Sequence, residues 1–108
     1  MKSDITKWAF PIPKGVAKAA AKGLALRKEY RRGGTSVGIA TAKYLTSRQY
    51  ADGKKVAHIA KYFPRHAGDN LWQKDPPSNG WIAWLLWGGD MGRRWAERLV
   101  EKFRKEGK

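Results

Sequence analysis

Residues 80–90 read GWIAWLLWGGD: seven apolar residues in a row, three of them tryptophan, cut off by Gly88-Gly89-Asp90. A bilayer-spanning helix needs about 20 such residues, and no other apolar run in the chain is longer than this one. A transmembrane reading therefore fails, and no membrane partner is expected. What remains is a choice between a core and a surface on which bases stack. A segment apolar on every side suits a short central helix enclosed by others, because a surface helix alternates a dry stripe with a wet one. Ser78 is placed to cap its start, and the two glycines stop it. Trp81, Trp84, Trp87 and the later Trp95 are accordingly assigned to the core of a small helical domain.

Working outward, Asp90 reads as the N-cap of a last helix with Gly92, Trp95, Ala96, Leu99 and Phe103 inward. Arg94, Arg98 and Lys102 repeat every four residues on its outside, interleaved with Glu97, Glu101 and Glu106, so that face is partly self-neutralised. Upstream, residues 67–79 (AGDNLWQKDPPSN) form the one long loop. Before it, GKKVAHIAKYFPRH places Val56, Ile59, Ala60 and Phe63 at i, i+3, i+4, i+7, with Lys54, His58, Lys61 and Arg65 on a separate stripe. Asp52 caps this helix, and Pro64 kinks or ends it near its last turn.

Two more helices precede it. Thr35 caps TSVGIATAKYLTS, with Val37, Ala40, Tyr44 and Leu45 inward. An alanine-rich helix from Lys14 to about Arg32 turns Val16, Ala19, Ala20, Gly23, Leu24 and Tyr30 to one face and Lys14, Lys18 and Lys22 elsewhere, and Gly33-Gly34 ends it. The first thirteen residues, ending in FPIP, are too rich in proline for helix and read as an extended arm, with Trp8 and Phe10 available to pin it. The fold class is all-α: one domain of about five short helices (14–108) behind the arm (1–13), with no convincing strand.

Charge narrows the partner. Of 108 residues, 23 are Lys or Arg and nine are Asp or Glu, a formal net charge of +14. Self-repulsion on that scale costs stability unless a polyanion relieves it, and it concentrates DNA, RNA or acidic surfaces near the chain. There is no cysteine, which excludes disulfides, thiolate metal sites and a cysteine nucleophile. The N-terminus has Asp4, Lys7 and two prolines where a signal peptide needs an apolar stretch, so an intracellular protein is expected.

Catalysis is poorly supported. The acids are sparse and sit at helix caps or inside charge pairs, where a phosphodiesterase would cluster them around metal ions. His58 and His66 are eight residues apart, not the i, i+4 spacing of two ligands on one helix face. Arg65-His66 with Asp69 is the one dense polar cluster, and Gly33-Gly34 and Gly88-Gly89 lack the flanks of a nucleotide-binding loop. No enzyme activity, metal or cofactor is expected.

At GGTSVGIATAKYL, KVAHIAKYFPRH and PSNGWIAWLLWGGDMGRRWAERL, the chain resembles a small helical module encoded by tailed bacteriophages and prophages and associated with head-assembly genes, prohead-protease and portal-like proteins among them. The resemblance runs from about Gly23 to Leu99, and the Trp-Gly-Gly-Asp segment with the Trp that follows is its most specific part. Members continue with a Glu-Val-Asp-Lys-like loop after the Arg-His pair, whereas this chain has Ala67-Gly68-Asp69-Asn70 and a shorter loop. The resemblance implies phage origin and a virion or DNA-packaging context, and it carries no activity with it.

The best functional feature is the stripe of Lys54, Lys55, His58, Lys61 and Arg65, which has no acid among its members. Arg27, Lys28, Arg31 and Arg32 extend it, and Trp72, in the polar loop, is the tryptophan suited to stack a base. The stripe holds one Arg and no Asn or Gln, the side chains best fitted to bidentate base reading, so phosphate contact without strong sequence preference is expected. Residues 35–47 and 53–65 also match a helix-turn-helix spacing. The expected partner is nucleic acid, DNA ahead of RNA. The alternative is a virion assembly protein whose basic face docks on acidic capsid or portal surfaces, its arm threading into a phage structural protein. Oligomeric state is left open.

Overall fold

A computed structural model of the chain describes residues 4–106. The first three residues of the expected arm, the last two of the chain and the side chain of Glu106 lie outside the described residues. In chain order the described residues form a 3-10 turn (Ile5–Lys7), β1 (Ala9–Pro11), α1 (Lys14–Tyr30), α2 (Ser36–Ser47), β2 (Tyr50–Asp52), α3 (Gly53–His66), α4 (Asn79–Leu86) and α5 (Gly89–Glu106). The chain is all-α, with one small two-stranded sheet.

α4 is the pivot. Ser78 Oγ accepts from the Trp81 amide to start it, Ile82, Trp84, Leu85 and Leu86 are buried along it, and it touches each of the other four helices. α1 lays its small-residue face, Val16, Ala20 and Gly23, against it. Around this axis α1 packs on α2 and α5, and α3 packs on α5. Gly88 and Gly89 (φ 110° and 65°) make the left-handed turn that lets α5 fold straight back.

Trp84 and Trp87 are buried, while Trp81 and Trp95 are half-buried against the core. Asp90 departs from expectation: it lies inside the first turn of α5, and its carboxylate accepts from Trp84 Nε1 at 2.8 Å. A nearly buried indole N–H needs an acceptor, and Asp90 supplies it.

Other departures are local. The arm is not simply extended, nor is the chain without strands: β1 pairs antiparallel with β2, Phe10 opposite Ala51. Phe10 meets Phe103 edge-on at 5.6 Å and so pins the arm, while Trp8 stays 58% exposed. α1 ends at Tyr30, with Arg31 rather than a glycine in the left-handed capping position. α2 buries Gly38, Thr41, Ala42 and Leu45, whereas Val37 and Ala40 are exposed and Tyr44 is half-buried. α3 runs two residues past Pro64. The helix-turn-helix expectation also fails, because α2 packs on α1 and α4, α3 packs chiefly on α5, and the link between them is spent on β2.

Gly53, at the junction of β2 and α3, shows how tightly the arm is seated. A Cβ built there would lie 1.6 Å from the backbone oxygen of Ile5, and the Gly53 amide donates to Trp8 O at 2.8 Å. Gly53→Ala should therefore displace the turn at residues 5–7 and cost about 2 kcal/mol, the usual scale for overpacking. Urea denaturation would show the loss, and limited trypsinolysis should show faster cutting after Lys7. Unchanged stability with an equally protected Lys7 would mean that the arm is not seated on α3.

Candidate nucleic-acid interface

α3 begins where the Asp52 side chain accepts from the Lys55 amide, and its register is fixed by burial of Val56, Ile59, Ala60, Tyr62 and Phe63. With that face inward, Lys54, His58, Lys61 and Arg65 emerge together on the opposite side, all exposed. From Lys54 to Arg65 the row is about 16 Å long at 1.5 Å per residue. Over that length a DNA duplex presents roughly 10 phosphate charges, so cations and not phosphates would limit the contact. The ion pairs among the described residues are His66–Asp69, Arg93–Glu97 and Arg104–Glu101. None of them uses Lys54, Lys61 or Arg65.

Lys55 differs from its neighbour. It is half-buried toward α2, where Nζ donates to Thr41 Oγ1 at 3.3 Å and lies 5.2 Å from the Tyr44 ring centre. Burial holds its pKa below the ordinary lysine value, against the pull of Asp52. It braces α3 on α2 and leaves the outward row. His58 stays in the row, its ring edge-on to Trp87 at 5.0 Å. Burial first, then Lys55 and Lys61, push its pKa below the usual imidazole value, so at neutral pH it offers a hydrogen bond and no charge.

The C-terminal end of the row opens on a cleft of about 380 Å³ between the Gly33-Gly34-Thr35 turn, α3 and the start of α4. Tyr62 is stacked there between His66 (4.3 Å, 18°) and Trp87 (4.5 Å, 6°). His66 Nδ1 meets Asp69 Oδ2 at 3.0 Å. The Tyr62 hydroxyl is enclosed without a partner among the described residues, and burial, with Asp69 adding to it, holds its pKa well above the ordinary tyrosine value. Of the two hydroxyls at the cleft, Thr35 Oγ1 is committed to capping α2 and the Tyr62 one is sealed.

The second cationic group divides. Arg27 falls on the buried side of α1, its Nε enclosed and unpartnered among the described residues. Arg32 donates to Pro77 O at 2.9 Å, tying α1 to the loop ahead of α4. Lys28 and Arg31 remain open, with Arg31 serving as the helix cap. Asp69 lies against Gly80 in the first turn of α4, so the ends of α1 and α3 approach the start of α4 together. Trp72 stands 79% exposed on the loop.

No protein-family model, curated protein or solved structure matches this chain. Among the described residues no helix is long and apolar enough to cross a membrane. What the surface binds follows from its own charge and shape.

Proposed function

We propose that this protein binds nucleic acid, DNA ahead of RNA, chiefly through phosphates laid along the outer face of α3. Lys54, Lys61 and Arg65 make the charged contacts, with His58 as a neutral hydrogen-bonding neighbour. The observation that carries this reading is the separation of charge on α3: three outward cations in no ion pair among the described residues, on a chain of net charge +14, while Glu97 and Glu101 are held by arginines of α5. The acids nearest the row are each committed to another group: Asp52 caps α3, and Glu97 and Glu101, which share a groove with Lys61, are bonded to arginines of α5.

The resemblance to a phage head-assembly module supports a virion or DNA-packaging setting. With Lys55 turned to α2 and His58 neutral, about four phosphates would be neutralised once neighbouring cations such as Arg31 or Lys28 are engaged. Affinity for random-sequence DNA should then fall with salt at a log-log slope of about −3 to −4. Fluorescence anisotropy at several salt concentrations measures that slope. A flat salt response, or no binding, removes the proposal; binding to acidic protein particles that survives nuclease treatment, with none to DNA, favours docking on a capsid or portal surface.

A further inference from the structure

α3 is not the only helix with an unneutralised outer row. On α1 the buried positions are Val16, Ala20 and Gly23, and Lys14, Lys18 and Lys22 emerge at i, i+4, i+8 on the far side, all exposed. No acid lies in the first turn of α1, and its one glutamate, Glu29, falls near the other end. Like charges one turn apart weaken a helix, so this row is a standing cost that a polyanion would lift. α5 adds to it. Arg94 and Arg98 line a hollow of about 300 Å³ with Pro13, Met91, Trp95 and Leu99, where α1 begins. Two acids of α5, Glu97 and Glu101, line the groove toward α3 with Ala57, Ala60, Lys61 and Pro64, and each is paired with an arginine of its own helix, Arg93 and Arg104. Within α5 the glutamates are taken up by Arg93 and Arg104, which leaves Arg94 and Arg98 in no ion pair among the described residues.

The two rows stand on helices that do not pack on one another. α1 packs on α2, α4 and α5, α3 packs on α5, α4, β2 and the N-terminal turn, and α4 touches both, so α4 and α5 lie between α1 and α3. With helix axes about 8–10 Å apart at each contact, a path through one intervening helix lets the axes of α1 and α3 stand up to roughly 16–20 Å apart, and each row lies on the face of its helix turned away from the buried side. A Debye length is about 8–10 Å near physiological salt. A polyanion on one row would scarcely feel one on the other.

We propose that the protein holds two nucleic-acid segments at once, one along α3 and one along Lys14, Lys18 and Lys22 of α1 with Arg94 and Arg98 of α5, and so bridges them as a monomer. This rests on the phosphate-binding reading of α3 and adds a second, independent face to it. The test is bead capture: an immobilised duplex, the purified full-length protein, and a labelled free duplex retained only if the two are bridged. Wild type should retain the free duplex. The variant K14E/K18E/K22E, altered only at exposed positions, should keep its affinity for a single duplex within about threefold while retention falls at least tenfold. K54E/K61E/R65E should lower both, and circular dichroism spectra matching wild type would keep misfolding out of the comparison. A wild type that binds duplex without bridging overturns the two-faced reading and leaves the α3 interface standing. Undiminished bridging by the α1 variant also overturns it, since bridging then comes from self-association or from α3 alone. A wild type that binds no duplex sinks the α3 interface first, and this inference with it.

Discussion

Trp84→Ala should lower the melting temperature by about 20 °C and bring the chain close to unfolding at 37 °C. Trp84 is 2% exposed. Phe63 meets its ring edge-on at 4.8 Å, and its Nε1 is bonded to Asp90 at the start of α5. Truncating a buried tryptophan to alanine costs about 3–5 kcal/mol through lost transfer energy and the cavity left behind. A domain of this size has about 5–15 kcal/mol in all, and the net charge of +14 places this one toward the lower end. At about 4–8 °C per kcal/mol for a domain near 100 residues, the shift follows. Trp84→Phe separates the two contributions: it keeps an aromatic against Phe63 and removes the bond to Asp90, so it should lose well under half as much. Thermal unfolding followed by circular dichroism decides. A shift below about 5 °C for the alanine variant would mean that α4 is not the centre of the core.

That α4 is central could be read from composition, because a segment without a polar side can only be enclosed. α3 was equally legible: Val56, Ile59, Ala60 and Phe63 leave one choice of inward face, and the cationic row follows from it. α2 was not. Val37, Ala40 and Tyr44 make one helical stripe, and Gly38, Thr41, Ala42 and Leu45 make another just beside it. Hydropathy favours the first, but the second buries small side chains against α1 and brings Gly38 to within contact of Trp87. The hydroxyl of Thr41 ceases to be a penalty once it donates to Val37 O at 2.9 Å. Packing partners chose between two near-equal stripes, and a single-helix periodicity contains no partners.

The remaining misses share that cause. β2 is three residues long, and its partner strand, forty residues earlier, contains a proline; neither has enough length for a period of two to register. Asp90 after two glycines has the signature of a cap, and the indole six residues back that claims its carboxylate is visible only in three dimensions. Lys55 is a partial exception. It lies 100° around the helix from Lys54, while Lys54, His58, Lys61 and Arg65 keep i, i+4, i+7, i+11 spacing, so the wheel alone separates it from the row. Arg27 is similar, one turn beyond Gly23 on the face that α1 buries. Among the candidate cations, spacing from a known buried residue sorted exposed from enclosed better than local charge density did.

Reversing the α3 row, K54E/K61E/R65E, should abolish measurable DNA binding at physiological salt while leaving the fold intact. All three side chains are exposed and none is in an ion pair among the described residues, so the folded state loses no partner when they change. Stability should hold or rise slightly, since each reversal removes two positive charges from a chain of +14. Binding responds differently. Each phosphate contact contributes about 0.9 to the salt slope, so losing three should flatten it from about −3.6 to about −1. Near 0.1 M salt each unit of slope is worth about tenfold relative to 1 M, which sets the loss at about 10²- to 10³-fold before any repulsion from the new carboxylates. The neutral set K54Q/K61Q/R65Q should give the same flattening with a smaller loss, which separates missing attraction from added repulsion. If the reversed protein melts like wild type and still binds with a steep salt slope, the phosphates are held elsewhere and the α3 assignment is wrong.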